Sequence, residues 1–126
     1  MNMVIGGAYQ GKQAYAEQCY SRLRWSDGAS CDLEEIFSCQ GMVHFEEWIK
    51  RRMQEKKEVP IPRLAEQILE KNPGLVIVTT ELGYGLVPVD PFERAYREAV
   101  GRICTELAAC ANRVDRVICG VGIRIK

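Results

Sequence analysis

The sequence has no long apolar run, no excess of either charge and almost no histidine, and each absence excludes a class of protein. Its longest apolar run is the five residues Leu107 to Ala111, whereas a helix that crosses a bilayer needs about 20. Lys and Arg number 17, and Asp and Glu also number 17, so the formal net charge is zero. No overall field therefore attracts the chain to nucleic acid or to an anionic membrane, and neither is predicted as a partner.

Cysteine is present without the spacing of a metal site. The six cysteines include no Cys-x-x-Cys pair, and His44 is the only histidine, so no metal-ligand set is assigned. Hydrophobic residues make up 47% of the chain, which is enough for a core without cross-links, and the thiols are predicted to be reduced. The first residues resemble no secretory signal. We therefore expect a cytoplasmic protein, with residues 1–126 forming one domain.

Strand and helix patterns alternate along the chain, with turn-forming residues at 26–30. Leu75 to Thr79 is a β-branched-rich run of the type buried in a parallel sheet, and it is predicted to be central. Asp90 and Pro91 form an N-cap and first turn for a long helix. The alternation predicts an α/β fold with three layers and a mostly parallel central sheet. Strands are predicted at 3–5, 33–37, 75–79, 114–119 and 123–125, and helices at 12–23, 42–57, from 62 to about 71, and 91–112.

The loop between the first strand and the first helix fits the Gly-x-x-x-x-Gly-Lys pattern of phosphate-binding loops. In such loops backbone N–H groups converge on phosphate oxygens, and the lysine contacts the β and γ phosphates. A tight structural turn is the alternative. Such loops continue with Ser or Thr, whose hydroxyl holds Mg²⁺. This chain has Gln13 at that position, so the need for Mg²⁺ is left open here. The candidate nucleotide-binding residues are Gly6, Gly7, Ala8, Tyr9, Gln10, Gly11, Lys12 and Gln13.

Beyond this loop, several stretches resemble the bifunctional adenosylcobinamide kinase/adenosylcobinamide-phosphate guanylyltransferase family of cobalamin biosynthesis, a P-loop family. The resemblance rests on MVIGGAYQGKQAYAE (3–17), VTTELGYGLVP (78–88), RAYRE with GR (94–98 and 101–102) and CGVGIRIK (119–126). It implies a P-loop NTPase-like fold and binding of ATP or GTP. It also implies a corrinoid acceptor and a homo-oligomer such as a trimer.

The chain departs from the family pattern at several functional positions. The family's histidine that accepts GMP lies in a segment after the first helix, for which residues 24–31 are only a short connection. His44 does not match that histidine. Residues 36–39 resemble a family strand that ends in an acid near the metal, and Ser38 stands in place of that acid. Thr80 replaces an Asn, and residues 104–105 replace an Asn-Gln pair.

Glu81 matches the family pattern. As a residue that follows the central strand, it is predicted to act with Lys12 as a catalytic residue, either holding Mg²⁺ through water or acting as a base. The alternative is that its carboxylate braces the glycine loop at 83–85. The long helix carries three arginines that can pair with phosphate, and salt bridges to neighbouring glutamates are the alternative there. These candidate anion-binding residues are Arg94, Arg97 and Arg102.

Three functions are consistent with these residues. The first is a nucleotide-binding homologue of the family that keeps kinase-type phosphoryl transfer, although its metal and guanylyl-acceptor residues are lost. The second is a non-catalytic nucleotide sensor. The third is a structural subunit of an oligomer whose loop binds nothing. The sequence leaves open whether the chain is an enzyme.

Overall fold

The structure is a computed structural model that describes residues 1–55 and 61–126. Strands and helices alternate along it, with a 3₁₀ helix at Leu33–Phe37. The strands are β1 (Asn2–Gly6), β2 (Trp25–Asp27), β3 (Gly41–Val43), β4 (Val76–Thr80), β5 (Arg113–Ile118) and β6 (Val121–Arg124). The helices are α1 (Lys12–Cys19), α2 (Phe45–Gln54), α3 (Ile61–Lys71) and α4 (Pro91–Cys110).

The strands of the described residues form one six-stranded sheet in the order β2-β3-β4-β1-β5-β6. All neighbouring pairs are parallel except the β5–β6 hairpin. β4 lies between β3 and β1, which confirms that this apolar run is a central strand. The mostly parallel α/β sheet is consistent with a P-loop NTPase-like fold, as predicted.

The two faces of the sheet are covered unequally. Helices α2, α3 and α4 pack on one face in a large core that includes Met3, Trp48 and Ile77. The opposite face holds a smaller cluster in which Ala16 of α1 packs on Val4 and on valines of the neighbouring strands. The fold therefore has three layers, and the helical layer formed by α1 is the thinner of the two that cover the sheet. Its buried face is formed by Ala16, whereas Cys19 is exposed.

The predicted strand at 33–37 is wrong. Asp32 precedes it as an N-cap whose Oδ1 accepts the N–H of Glu34 at 3.0 Å, and the backbone then turns as a 3₁₀ helix. Residues 36–39 are accordingly not a strand, and Ser38 does not stand at a strand end. The strand that enters the sheet is β3, and it was predicted as the first turn of a helix. β2 was likewise predicted as a turn.

The helix predictions differ from the structure mainly at their ends. α2 begins at Phe45 instead of residue 42, and the predicted end at 57 lies outside the described residues. α1 ends at Cys19, before the predicted 23. For α4 the N-cap prediction is confirmed, because Asp90 Oδ1 accepts the N–H of Phe92 at 2.9 Å.

All six cysteines are free thiols, as predicted. Within residues 1–55 and 61–126, no helix has both the length and the apolar character that a membrane crossing needs.

Candidate functional site

The Gly6–Lys12 loop joins β1, in the interior of the sheet, to the start of α1. Gly6 ends the strand, and a Cβ there would lie 2.6 Å from the carbonyl oxygen of Val117, so only glycine fits. Tyr9 and Gly11 have positive φ values of 58° and 85°. Tyr9, whose side chain is fully exposed, holds this conformation without glycine. The backbone thus curls tightly before the helix begins.

The turn between β5 and β6 holds the loop in place. The Gln10 carbonyl accepts the N–H of Gly120 at 2.8 Å, and the Gln10 side-chain oxygen accepts the N–H of Cys119 at 2.7 Å. Gly11 packs on the same turn, since a Cβ on it would lie 3.3 Å from the Gly120 Cα. The closing stretch of the sequence therefore has a structural role in shaping the loop.

Lys12 folds back over this loop. Its Nζ donates a hydrogen bond to the Gly7 carbonyl at 2.7 Å. Burial lowers the pKa of Lys12, and the nearby carboxylates of Glu46 and Glu81 partly offset that effect. α1 has Gly11 at its N-cap and no acidic residue in its first turn. The positive end of the helix and a cation are therefore presented together, which suits a phosphate group.

Glu46 is a functional residue that the sequence analysis missed. Glu46 precedes Lys50 by four residues, which is the spacing of a solvated ion pair on a helix, but in the structure Glu46 is only 7% exposed. Its Oε2 accepts hydrogen bonds from Thr79 Oγ1 at 3.2 Å and Thr80 N at 3.0 Å, and its Oε1 accepts one from Thr80 Oγ1 at 3.0 Å. Thr80 thus anchors a buried carboxylate near Lys12.

Glu81 is also near the glycine loop, because its backbone N–H donates to the Gly6 carbonyl at 2.8 Å. Its Oε2 is 3.2 Å from Arg116 Nε, and the same guanidinium donates to Tyr84 Oη at 2.9 Å. Arg116 therefore connects Glu81 to the loop that follows β4. A catalytic role for Glu81 stays a prediction, and the structure adds that its carboxylate is already paired.

Lys12 and Glu46 line a cleft of about 510 Å³ at the carboxyl ends of β3 and β4. The loop contributes residues 8–13, so the candidates Ala8, Tyr9, Gln10, Gly11, Lys12 and Gln13 all line it. Facing them are His44, Glu46, Thr79 and Thr80. Ligands bind at this edge in open α/β sheets, and a cleft of this size is within the usual range for small-molecule sites.

A second cavity of about 380 Å³ adjoins the cleft and shares Thr79, Thr80 and Leu82 with it. Glu81 lines this cavity, as do Cys104 and Thr105, which stand where the family has Asn-Gln. Burial raises the pKa of the Cys104 thiol to about 12, so it is protonated at neutral pH. Cys104 is therefore a neutral wall of the cavity and not a nucleophile.

The three arginines of α4 do not share one contact. Arg97 donates to the Leu86 carbonyl at 3.1 Å, Arg102 pairs with Glu98 one turn earlier, and Arg94 is exposed. The salt-bridge alternative thus holds for Arg102. A shared anion site formed by Arg94, Arg97 and Arg102 stays a prediction.

The site offers few ligands for a metal ion. Over the described ranges, no group of three or more His, Cys, Asp and Glu side chains is placed to hold one. Gln13 is exposed and donates to Glu17 at 3.0 Å. The residue directly after β3 is His44, which occupies the strand end that the sequence analysis assigned to Ser38. Mg²⁺ in this cleft would thus depend mainly on the phosphates that it accompanies, with Glu46 and Glu47 as the carboxylates that line the cleft.

His44 and Asp27 form a pair at the rim of the cleft. His44 Nδ1 lies 2.9 Å from Asp27 Oδ1, which also accepts the N–H of Ala29 at 2.9 Å. Partial burial alone would raise the pKa of Asp27, but the Ala29 N–H, His44 and Arg51 together hold it below its usual range. Asp27 is the last residue of β2, so the parallel pairing of β2 with β3 brings the two side chains together.

Comparison with known proteins agrees with the family resemblance. The model of the family CobU, described as cobinamide kinase / cobinamide phosphate guanyltransferase, matches residues 35–125. The bifunctional adenosylcobalamin biosynthesis protein CobU of Escherichia coli (strain K12) is 35% identical over 91 residues, which is 72% of this chain. Its counterpart in Salmonella typhimurium (strain LT2) is 32% identical over the same length.

The chain spans about half the length of these curated relatives, because the aligned part is 50% of each of them. The family match begins at residue 35, so the Gly6–Lys12 loop lies before it, whereas the β4 end, α4 and the β5–β6 turn lie within it. The match covers more than half of the chain. The protein therefore belongs to the cobinamide kinase / cobinamide phosphate guanyltransferase family.

Proposed function

We propose that this protein binds a nucleoside triphosphate, ATP or GTP, in the 510 Å³ cleft and transfers its terminal phosphoryl group to a hydroxyl acceptor. The observation that carries the proposal is the setting of Lys12. Its ammonium lies on a glycine loop at the uncapped start of a helix, beside a cleft at the carboxyl edge of the sheet. Phosphoryl transfer depends mainly on such positioning and on neutralising charge.

The surroundings of Lys12 support binding of an anion with several charges. Among the described residues the ammonium donates to a carbonyl of its own loop, and a phosphate oxygen can replace that acceptor. Backbone N–H groups of the first turn of α1 are also available. By contrast, the carboxylate of Glu46 is held in place by three hydrogen bonds from Thr79 and Thr80.

Calorimetric titration with ATP and with GTP, each with and without Mg²⁺, tests the proposal. We expect at least one of them to bind at one site per chain. Binding that does not lead to any transfer or hydrolysis would favour a nucleotide sensor, and no binding of either nucleotide would favour a structural subunit. A nucleotide sensor is the second candidate because several cleft residues, Gln13 above all, differ from the residues of the family pattern.

The resemblance extends the proposal to the acceptor and the assembly. A corrinoid is the acceptor that it predicts, and a homo-oligomer such as a trimer is the assembly. Exposed apolar side chains of the β5–β6 hairpin, which include Ile118, Val121 and Ile123, are compatible with burial between subunits. One domain over residues 1–126 also stays a prediction.

Mg²⁺ is expected to contribute little to nucleotide affinity in the wild-type protein and more in Gln13→Ser. A neutral amide suits Mg²⁺ poorly, whereas a serine hydroxyl at this position is the usual ligand. In Gln13→Ser we expect Mg²⁺ to strengthen binding about tenfold, or about 1.4 kcal/mol. Calorimetry with Gln13→Ala as the control separates gain of the hydroxyl from loss of the amide. An equal Mg²⁺ effect in all three proteins would contradict this view of position 13.

Incubation with GTP is expected to leave the mass of the protein unchanged. His44 is the only histidine, and it lies outside the segment in which the family carries the histidine that accepts GMP. Intact-mass spectrometry after removal of free nucleotide makes the measurement. A GMP adduct that is absent from His44→Asn would show that His44 does accept the guanylyl group.

A further inference from the structure

The polar groups of the cleft differ in whether they are free to accept a proton. Glu46 accepts three hydrogen bonds through its two oxygens. Lys12 is a donor, and the Tyr96 hydroxyl donates to the Glu46 carbonyl at 3.1 Å. Glu81 lines the adjoining cavity and is paired with Arg116. His44 and Glu47 remain as acceptors in the cleft, and in His44 the contact of Asp27 with Nδ1 leaves Nε2 for a ligand.

The pair of His44 with Asp27 has the geometry of an oriented base. Asp27 Oδ1 lies 2.9 Å from Nδ1 and is itself fixed by the Ala29 N–H. A carboxylate in this place favours the tautomer with its proton on Nδ1, so that Nε2 is an acceptor. Asp27 also stabilises the imidazolium that forms when Nε2 takes up a proton. The ring is half exposed at the cleft rim, where it can reach a ligand.

The backbone holds His44 in a conformation that a histidine rarely adopts. Its φ is 54° and its ψ is 45°, in the left-handed region. The His44 carbonyl accepts the N–H groups of Glu47 and Trp48 at 3.0 and 3.3 Å, and Gly28 packs so closely that a Cβ on it would lie 2.4 Å from the same carbonyl oxygen. Glycine or asparagine would adopt this backbone at lower cost. A backbone held in a sparsely populated conformation beside a cleft points to a function for that residue.

We propose that His44 is the general base of the transfer reaction, with Asp27 as its positioning residue; this rests on the proposed function. Nε2 takes the proton from the acceptor hydroxyl while the hydroxyl oxygen attacks the terminal phosphorus of the nucleotide. The bond from that phosphorus to the bridging oxygen breaks, and the nucleoside diphosphate leaves with the electron pair. The proton on His44 passes to water when the product leaves, which restores the neutral ring.

His44→Gly is the informative variant because glycine relieves the left-handed backbone and leaves room for a free imidazole. The measurement is phosphate release from whichever nucleotide calorimetry shows to bind, with water as the acceptor. We expect the rate to fall at least about 100-fold, with nucleotide affinity within about twofold of the wild type. Added imidazole should restore the rate at least about tenfold, since it supplies the missing base.

His44→Asn is the matched control: asparagine also tolerates the backbone, but it fills the space and takes up no proton. It should lose as much rate as His44→Gly and gain nothing from imidazole. Asp27→Asn should lose less than either, because the base remains and only its orientation changes. The cleft carboxylate of Glu47 is the rival base, and Glu47→Gln should cost less than His44→Gly.

Three outcomes would overturn the assignment. They are a wild-type protein that binds nucleotide but turns none over, a His44→Gly rate that imidazole does not raise, and a Glu47→Gln loss as large as that of His44→Gly.

Nuclear magnetic resonance gives an independent result, because the only histidine ring needs no further assignment. It should show the proton on Nδ1 and a shift on nucleotide addition; a proton on Nε2 in the neutral ring would also overturn the proposal. Failure to bind nucleotide would instead reject the proposed function.

Discussion

Replacing Lys12 with alanine is expected to weaken triphosphate binding by about 10- to 150-fold and to leave the fold intact. The ammonium is the cation nearest the loop backbone, and a charge-assisted hydrogen bond to phosphate contributes about 1.5 to 3 kcal/mol. Stability should change little because, within the described residues, the hydrogen bond lost is the partly buried one to Gly7. Calorimetry of both proteins with ATP and GTP, together with thermal unfolding, measures the two effects.

Lys50→Ala is the matched control for this substitution. Lys50 is also a partly buried lysine, 3.7 Å from Glu93 and over the Tyr96 ring, but it is on α2 and not on the loop. The Lys50→Ala variant should bind nucleotide as tightly as the wild type does. If Lys12→Ala also binds as tightly as the wild type, the glycine loop is a structural turn and the proposed function loses its main support.

Replacing Trp48 with alanine is expected to destabilise the protein by about 3 to 5 kcal/mol. Trp48 is fully buried in the larger core, its ring stacks on Phe45 with centroids 5.6 Å apart, and its Nε1 donates to the Leu33 carbonyl at 3.1 Å. The variant loses apolar contacts and leaves a buried carbonyl without its donor. Urea unfolding followed by circular dichroism and by the fluorescence of Trp25 measures the change.

Trp48→Phe is a graded control, since it keeps an aromatic ring and loses the indole N–H. We expect it to destabilise the protein less than Trp48→Ala does, by about 1 to 3 kcal/mol for the unpaired carbonyl and the smaller ring. A cost below about 1 kcal/mol for Trp48→Ala would contradict the packing of the 3₁₀ helix on α2.

The elements that sequence predicts well are those whose local pattern agrees with their environment. β4 is a continuous β-branched run because it is covered on both faces. The N-terminus of α4 follows from Asp90 and Pro91, whose capping chemistry is local. In both cases the neighbouring residues carry the whole signal, so no knowledge of distant contacts is required.

The elements that sequence misses depend on distant partners. β2 and β3 have three residues each, too few for a periodic pattern. β3 forms by pairing with β4, and β2 forms by pairing with β3. The 3₁₀ helix at Leu33–Phe37 has the apolar residues of a strand, but an N-cap at Asp32 decides its backbone.

For the same reason, the loop of the candidate site could be predicted and its opposite wall could not. A glycine loop with Lys12 is a local motif between a strand and a helix. Glu46 has the sequence signature of a solvated i, i+4 pair, and only the approach of Thr79 and Thr80 from β4 makes it a buried carboxylate. The one signal in the sequence for a site role of Glu46 is its position shortly after a strand end, and that signal requires β3 to be identified as a strand.

The position of the nucleotide tests the central claim most directly. An amide ¹H–¹⁵N spectrum recorded while ATP or GTP is added reports on every backbone N–H, including those of Gly7 and Gly11. We predict that the amides of residues 7–13 show the largest shifts, that the His44 amide shifts as well, and that those of β6 stay unchanged. Binding that leaves the amides of the loop unchanged while shifting others would contradict the account, because the nucleotide would then bind elsewhere.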